Sequence, residues 1–207
     1  LSAATAGDTV YLPNGTYHLK TGNITLKTGV SIRGESQDNT ILAGMFTTAP
    51  YGTLYALQGT NNLNLSNFSI TTASGNAPLA GIRLGQGNTT TNNNEYQNVS
   101  RIQVTNISIE KHERFGIQLE NAKFVSIQNN IIKNATALDG GGQGYGIMVA
   151  MDNSQNNWIK NNTIGPTIRH GILLQFRAHH NLVENNRLQG TVSDAIDLHG
   201  EDEYSNE

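Results

Sequence analysis

An all-β chain wound as a single-stranded parallel solenoid of about seven to eight coils is what three features of this sequence predict. They are an apolar alternation closed by asparagine that recurs along the chain, a small-residue strand that recurs ahead of it, and almost no helical period. The asparagine pattern reads Leu65-Ser66-Asn67-Phe68-Ser69-Ile70, Val104-Thr105-Asn106-Ile107-Ser108-Ile109, Ile127-Gln128-Asn129-Asn130-Ile131-Ile132, Ile159-Lys160-Asn161-Asn162-Thr163-Ile164 and Val183-Glu184-Asn185-Asn186-Arg187-Leu188. Its last Asn recurs after 39, 24, 32 and 24 residues, so the shorter interval is one coil and the longer ones carry insertions. The strand pattern runs Ala80-Gly81-Ile82-Arg83-Leu84, Phe115-Gly116-Ile117-Gln118-Leu119, Tyr145-Gly146-Ile147-Met148-Val149, His170-Gly171-Ile172-Leu173-Leu174 and Asp194-Ala195-Ile196-Asp197-Leu198. Side chains alternate faces along a strand, so Ile147 and Val149 point inward and Met148 outward, and the small residue ahead of them leaves room at a bend.

Each coil therefore reads as strand, turn, strand, Asn turn, strand, with Val, Ile and Thr favouring strands and Gly and Asn favouring turns. The residues Asn67, Asn106, Asn130, Asn162 and Asn186 are expected to stack at one corner as a ladder of amides. Ahead of the repeats, Ala6-Gly7-Asp8-Thr9-Val10-Tyr11-Leu12-Pro13-Asn14-Gly15-Thr16-Tyr17 carries turn signals at Gly7 and Pro13-Asn14-Gly15, and Val30-Ser31-Ile32-Arg33-Gly34 and Thr40-Ile41-Leu42-Ala43-Gly44 continue it. This opening resembles the entry coil of right-handed β-helix polysaccharide lyases and hydrolases. The resemblance implies a right-handed winding over residues 1–207 as one parallel β-helix domain, expected to be a fragment of a longer chain.

Only 14% of residues are charged, Gly numbers 22, and amides and hydroxyls keep the surface polar, as on a carbohydrate-facing surface outside the cell. The net charge of −3 and the scattered Lys and Arg leave no basic stripe for a phosphate backbone, so nucleic acid is not an expected partner. Without Cys there is neither a disulfide framework nor thiol chemistry. No apolar run approaches the roughly 20 residues of a membrane-spanning helix.

The run Ala195-Ile196-Asp197-Leu198-His199-Gly200-Glu201-Asp202-Glu203-Tyr204-Ser205-Asn206-Glu207 is similar to the disaggregatase family of methanogenic archaea, whose members act on the methanochondroitin matrix that binds cells into clumps. That resemblance implies a secreted or cell-surface enzyme acting on an acidic heteropolysaccharide. Asp194-Ala195-Ile196 and His170-Gly171-Ile172 also resemble two strand elements of polygalacturonases, with departures. Ser193 stands where that family has a second Asp, and the His and Asp strands occur in reversed order.

Aligning the strands stacks Ala80, Phe115, Tyr145, His170 and Asp194 on successive coils about 4.8 Å apart. The outward positions that follow are Arg83, Gln118, Met148, Leu173 and Asp197, then Gly85, Glu120, Ala150, Gln175 and His199. Ionisable groups concentrate on the C-terminal coils, the arrangement acid–base chemistry requires. Asp194, Asp197 and His170 are the candidate catalytic residues. Asp194 has a structural alternative in bracing its turn and His170 in packing its ring, whereas Asp197, outward in mid-strand, has no turn to serve. Candidate substrate-binding residues are His199, Arg169, Arg177, Gln175, Glu120, Arg114, Lys111 and Glu201. Arg83, Lys111, His112, Arg114, Arg169 and Arg177 are cations expected to hold uronate carboxylates, Arg by paired hydrogen bonds. Phe115, Tyr145 and Trp158 are candidate sugar-stacking rings, Trp158 with a core alternative. His179 and His180 are expected to be solvated in a turn, and Glu201, Asp202 and Glu203 to form an acidic turn.

The segments 71–79, 85–100 and 134–144 are expected to flank a groove, with Gly140-Gly141-Gly142 as a lip. No cofactor is expected; calcium on the acidic turn is the weaker alternative. Three readings follow. Glycoside hydrolysis would use Asp194 and Asp197, and their spacing along an extended strand, with Cα atoms about 10 Å apart, predicts inversion. A polysaccharide lyase would use His170 with Arg169, and a non-catalytic carbohydrate-binding or structural solenoid would use the same groups only to hold sugar.

Overall fold

The computed structural model describes residues 1–86, 98–200 and 202–207, and among them every regular element is a β-strand. In chain order these are β1 (Thr9–Leu12), β2 (Gly15–Leu19), β3 (Ile24–Thr25), β4 (Ser31–Gly34), β5 (Thr40–Phe46), β6 (Leu54–Ala56), β7 (Asn61–Gly75), β8 (Ala80–Leu84), β9 (Val99–Glu110) and β10 (Phe115–Glu120). The series continues with β11 (Ala122–Lys123), β12 (Ser126–Gln128), β13 (Ile131–Lys133), β14 (Tyr145–Ala150), β15 (Trp158–Lys160), β16 (Thr163–Ile164), β17 (His170–Gln175), β18 (Leu182–Glu184), β19 (Arg187–Leu188) and β20 (Ile196–His199). Strands pair in parallel with the strand one coil away, giving a seven-stranded sheet ordered β20-β17-β14-β10-β8-β6-β3. The other two faces form one 13-stranded sheet, because β7 and β9 run through the corner between them. No helix is long and apolar enough to cross a membrane among the described residues.

Alternation and one backbone trick build each corner. In β9, Val104 and Ile107 both point inward although three positions separate them, because Asn106 between them adopts φ 53°, which turns the chain and resets the alternation. Asn67, Asn129, Asn161 and Asn185 adopt the same left-handed conformation in register with it. Asn tolerates this region better than other residues with a Cβ. The amide ladder sits one residue further on. Asn130 donates through Nδ2 to Asn162 Oδ1 at 3.0 Å, and Asn162 donates to Asn186 Oδ1 at 2.9 Å.

The five expected asparagines share this corner, but the ladder is split into two columns. Asn67 and Asn106 belong to the outer left-handed column, where Asn106 Nδ2 donates to Asn67 Oδ1 at 3.3 Å, and the inward positions of their coils hold Phe68 and Ile107, both fully buried. A second ladder at the preceding corner joins Asn157 to Asn181 at 2.9 Å and Asn181 to Asn206 at 3.1 Å. Each ladder amide also satisfies buried backbone groups, which would otherwise cost about 1–3 kcal/mol apiece; Asn130, for example, accepts from Ile107 N and donates to Val104 O.

The core is the set of inward columns. On the seven-stranded sheet Leu54, Ile82, Ile117, Ile147 and Ile172 form one column and Ala56, Leu84, Leu119, Val149 and Leu174 the next, all buried. Ile196 and Leu198 continue these columns at β20 and are largely exposed, since a column end has a neighbour on one side only. The glycine ahead of each inward isoleucine has a packing cause. A Cβ on Gly81 would strike Ile109, one on Gly116 would strike Ile132 and one on Gly146 would strike Ile164, the branched side chains arriving from the adjoining face.

Candidate functional site

The outer face of the seven-stranded sheet carries the groups of interest in the expected columns. Ala80, Phe115, Tyr145 and His170 lie opposite one another, then Tyr55, Arg83, Gln118, Met148, Leu173 and Asp197, then Glu120, Ala150, Gln175 and His199. The first column is a ring stack. Phe115 and Tyr145 stack at 5.5 Å between centroids, and Tyr145 and His170 at 5.1 Å. Tyr145 thus has a ring on each face, and Phe115 is buried between Tyr145 and the Arg114 guanidinium 5.6 Å from its ring centre, so neither offers a face to sugar as expected. Trp158 is corrected differently. Ile159 takes the inward position, leaving Trp158 46% exposed on the 13-stranded sheet, away from this face.

At the end of the stack, β17 and the bend before β20 bring three candidates together. His170 Nδ1 stands 3.0 Å from Asp194 Oδ2 and 3.5 Å from Asp197 Oδ2. His170 is 6% exposed, while the Asp194 side chain is 60% and the Asp197 side chain 18% exposed. His199 Nδ1 lies 3.7 Å from the same Asp197 oxygen. One oxygen from each acid and the His170 nitrogen all fall within 4.8 Å of one another. This overturns the separation expected for inversion: Asp194 lies in a bend, and both acids lean onto the ring of the preceding coil instead of standing apart along a straight strand. A gap of that size does not hold the water that an inverting pair needs across about 6.5–9.5 Å.

The other candidates are distributed around this cluster. Arg169 donates from Nη1 to Tyr145 Oη at 3.2 Å, beside His170. Gln175, at the far end of β17, donates to Met148 Sδ at 3.1 Å. Arg177 pairs with Asp152 at 3.3 Å in the turn beyond β17. Arg114 donates to Gly142 O at 3.1 Å and Gly141 O at 3.2 Å, so it fastens the glycine run beside β10. Lys111 occupies the exposed left-handed corner after β9 and is not brought to the cluster.

Glu120 is corrected from substrate ligand to internal partner: it is 8% exposed and bridges to Arg83 at 2.8 Å. That guanidinium also lies 5.4 Å from the Tyr51 ring centre and 5.7 Å from that of Tyr55. Glu201 and most of the segment 85–100 lie outside the described residues.

His112 is not a surface cation. It is fully buried, burial pushes its pKa down to about 4, and Nε2 meets Tyr145 O at 3.2 Å. Only an N–H pairs with a carbonyl, so Nε2 carries the proton and Nδ1, buried without a partner, does not. His179 is likewise buried, stacked on Tyr204 at 4.5 Å, while His180 is exposed as expected. Burial and the neighbouring His180 hold the His179 pKa below its usual value. The links that sequence columns did not show, Arg169 to Tyr145 and Arg83 to Glu120, run diagonally between columns.

The model of the right-handed β-helix region matches residues 86–206. The chain belongs to the right-handed β-helix family. Among solved structures, this β-helix is similar to the A-module of a mannuronan C-5 epimerase from Azotobacter vinelandii, with a TM-score of 0.70 and 16% identity over 89% of this chain and 48% of the other. It is similar to the catalytic domain of a GH87 α-1,3-glucanase in complex with nigerose, with a TM-score of 0.67 and 19% identity over 95% and 33% of the two chains. An alginate lyase from Paenibacillus sp. str. FPU-7 aligns with a TM-score of 0.64 and 19% identity over 100% and 70%. At these identities the likeness is one of fold. The β-helix spans about half the length of the epimerase module and a third of the glucanase domain. No curated protein matches by sequence.

Proposed function

We propose that this β-helix is the catalytic domain of an extracellular polysaccharide-degrading enzyme that hydrolyses a uronate-containing cell-surface heteropolysaccharide. The observation that carries the reading is the convergence of Asp194 and Asp197 on His170, beside the apolar cluster of Phe115, Met148 and Leu173 on the outer face. Paired acids are the machinery of glycoside hydrolysis. Structural likeness to polysaccharide-acting enzymes, a glucanase among them, supports the class. Similarity of residues 195–207 to disaggregatases supports a methanochondroitin-like substrate and a secreted or cell-surface location.

The proximity of the acids supports a double displacement with retention, for which carboxyl groups stand about 5–5.5 Å apart. Asp197, fixed between two imidazoles, suits the nucleophile; Asp194, open to solvent, suits the acid–base partner. One observation favours a second reading. Arg169, Tyr145 and His170 adjoin one another, a cation and two proton-transfer groups that would serve β-elimination at a uronate.

Digestion of an acidic heteropolysaccharide, read by ultraviolet absorbance and by NMR of the new reducing ends, tests both. Hydrolysis gives no unsaturated uronate and, on this reading, retained anomeric configuration. Asp194→Asn and Asp197→Asn are each expected to lower turnover by about 10²–10⁴. Near-normal activity in both would move the chemistry to Tyr145, His170 and Arg169, and an intact polymer would leave a binding module.

A further inference from the structure

We infer that His170, Asp194 and Asp197 together form a binding site for a divalent cation of the zinc type. The first ground is an unpaired atom. His170 Nδ1 is buried and has no aligned hydrogen-bond partner, although two carboxylate oxygens stand 3.0 and 3.5 Å away. The nitrogen lies against both carboxylates and is aligned with neither, and a cation held between the three groups would engage all of them at once.

The second ground is distance. Zinc binds imidazole nitrogen and carboxylate oxygen at about 2.0–2.2 Å, so two ligands 90–109° apart about the ion are separated by roughly 2.9–3.4 Å. The two nitrogen-to-oxygen distances, 3.0 and 3.5 Å, match that edge length within a small side-chain rotation. The third edge, between the carboxylates, is at most 4.8 Å and closes by turning Asp194, whose side chain is 60% exposed.

The donor set selects the ion. One imidazole and two carboxylates suit zinc and its first-row neighbours. Calcium asks for six to eight oxygens, and this cluster supplies one nitrogen and few oxygens. The imidazole is also held in place, since its ring lies on Tyr145 at 5.1 Å and 22° and Tyr145 lies on Phe115 at 16°. Three protein ligands leave the fourth position of a tetrahedral ion for water.

Binding depends only on the three side chains, but its consequence rests on the hydrolytic reading. An ion there takes the oxygens that the paired acids would use, so zinc and hydrolysis compete for one site.

Calorimetric titration of the chelator-stripped chain with zinc chloride at neutral pH tests the site. One ion per chain is expected. Asp197→Asn and His170→Gln should each weaken affinity by about tenfold or more, while His180→Gln and excess calcium chloride leave binding unchanged. Absence of saturable binding overturns the site. So does binding undiminished in both variants, which would place zinc elsewhere, such as at His179 and His180, whose Nδ1 atoms are 2.6 Å apart. Should a variant misfold, histidine-ring NMR of the unsubstituted chain decides: zinc must shift the His170 Nδ1 resonance, and an unmoved signal refutes the site. Zinc binding in a chain that cleaves no polymer even after chelator stripping would refute the hydrolytic reading alone; cleavage without zinc binding would refute this inference alone.

Discussion

Lowering the pH from 7 to 5 should destabilise this solenoid through His112, a residue that touches no substrate. Its Nε2–H pairs with Tyr145 O and its Nδ1 has no acceptor, so a second proton would sit in the fold unpaired. In the unfolded chain the ring titrates at its ordinary 6.5, and in the fold at about 4. Above 6.5 the ring is neutral in both states and pH has no leverage through it. Below 6.5 the unfolded state takes up a proton that the folded state refuses, so stability falls until the folded ring titrates near 4.

Over that whole window the loss is about 3 kcal/mol, and about 2 kcal/mol of it falls between pH 7 and pH 5. Guanidinium denaturation followed by circular dichroism at both pH values measures it, with His112→Gln as the reference, because Gln keeps a donor for Tyr145 O while losing the titration. The wild type should lose about 2 kcal/mol more than the variant. The comparison cancels the contribution of His179, whose pKa is lowered in both proteins. Equal pH slopes would show that the His112 ring accepts its second proton in the fold, and the burial argument would fail.

Two neighbouring asparagines should behave differently. Asn129, exposed at φ 57°, should accept Gly within about 0.5 kcal/mol, since Gly adopts that conformation freely. Asn130→Ala should cost about 3 kcal/mol by stranding Ile107 N–H and Val104 C=O, and denaturation midpoints for the pair would refute the ladder register if reversed. Gly116→Ala should destabilise by about 1–3 kcal/mol, because its Cβ meets Ile132 and the Gly146 carbonyl; an unchanged melting temperature would show that the corner has slack. Zinc added to an active preparation should suppress hydrolysis, and a chelator should restore it, with reducing-end release as the readout.

The fold was legible because strand alternation and turn chemistry act locally. Val, Ile and Leu at every second position, with Gly ahead of the inward isoleucine, set the strand registers that the structure shows. The Asn corners were legible only in part. A left-handed corner and an amide ladder both select asparagine for different reasons, so the Asn129-Asn130, Asn161-Asn162 and Asn185-Asn186 doublets conceal which residue does which. Asn67 and Asn106, alone in their coils, take the corner and leave the inward position to Phe68 and Ile107. The second ladder is not legible in the sequence because Asn156, His180 and Ser205 precede its members, and a shared backbone conformation leaves no shared letter.

The site divides along the same line. Column register alone predicts that Asp194 and Asp197 meet His170, because each strand copies the path of its neighbour. It does not predict how side chains lean. The separation of the acids along an extended strand overestimated a distance set by a bend and by a ring on the next coil. Arg83 and Glu120, expected to meet substrate, stand 37 positions apart in the sequence and instead meet each other across the diagonal between two columns. In a solenoid the backbone repeats and the chemistry does not. The residues that break the repeat, an imidazole in the column of Phe115 and Tyr145 and an acid in the column of Met148 and Leu173, are therefore where function is to be sought.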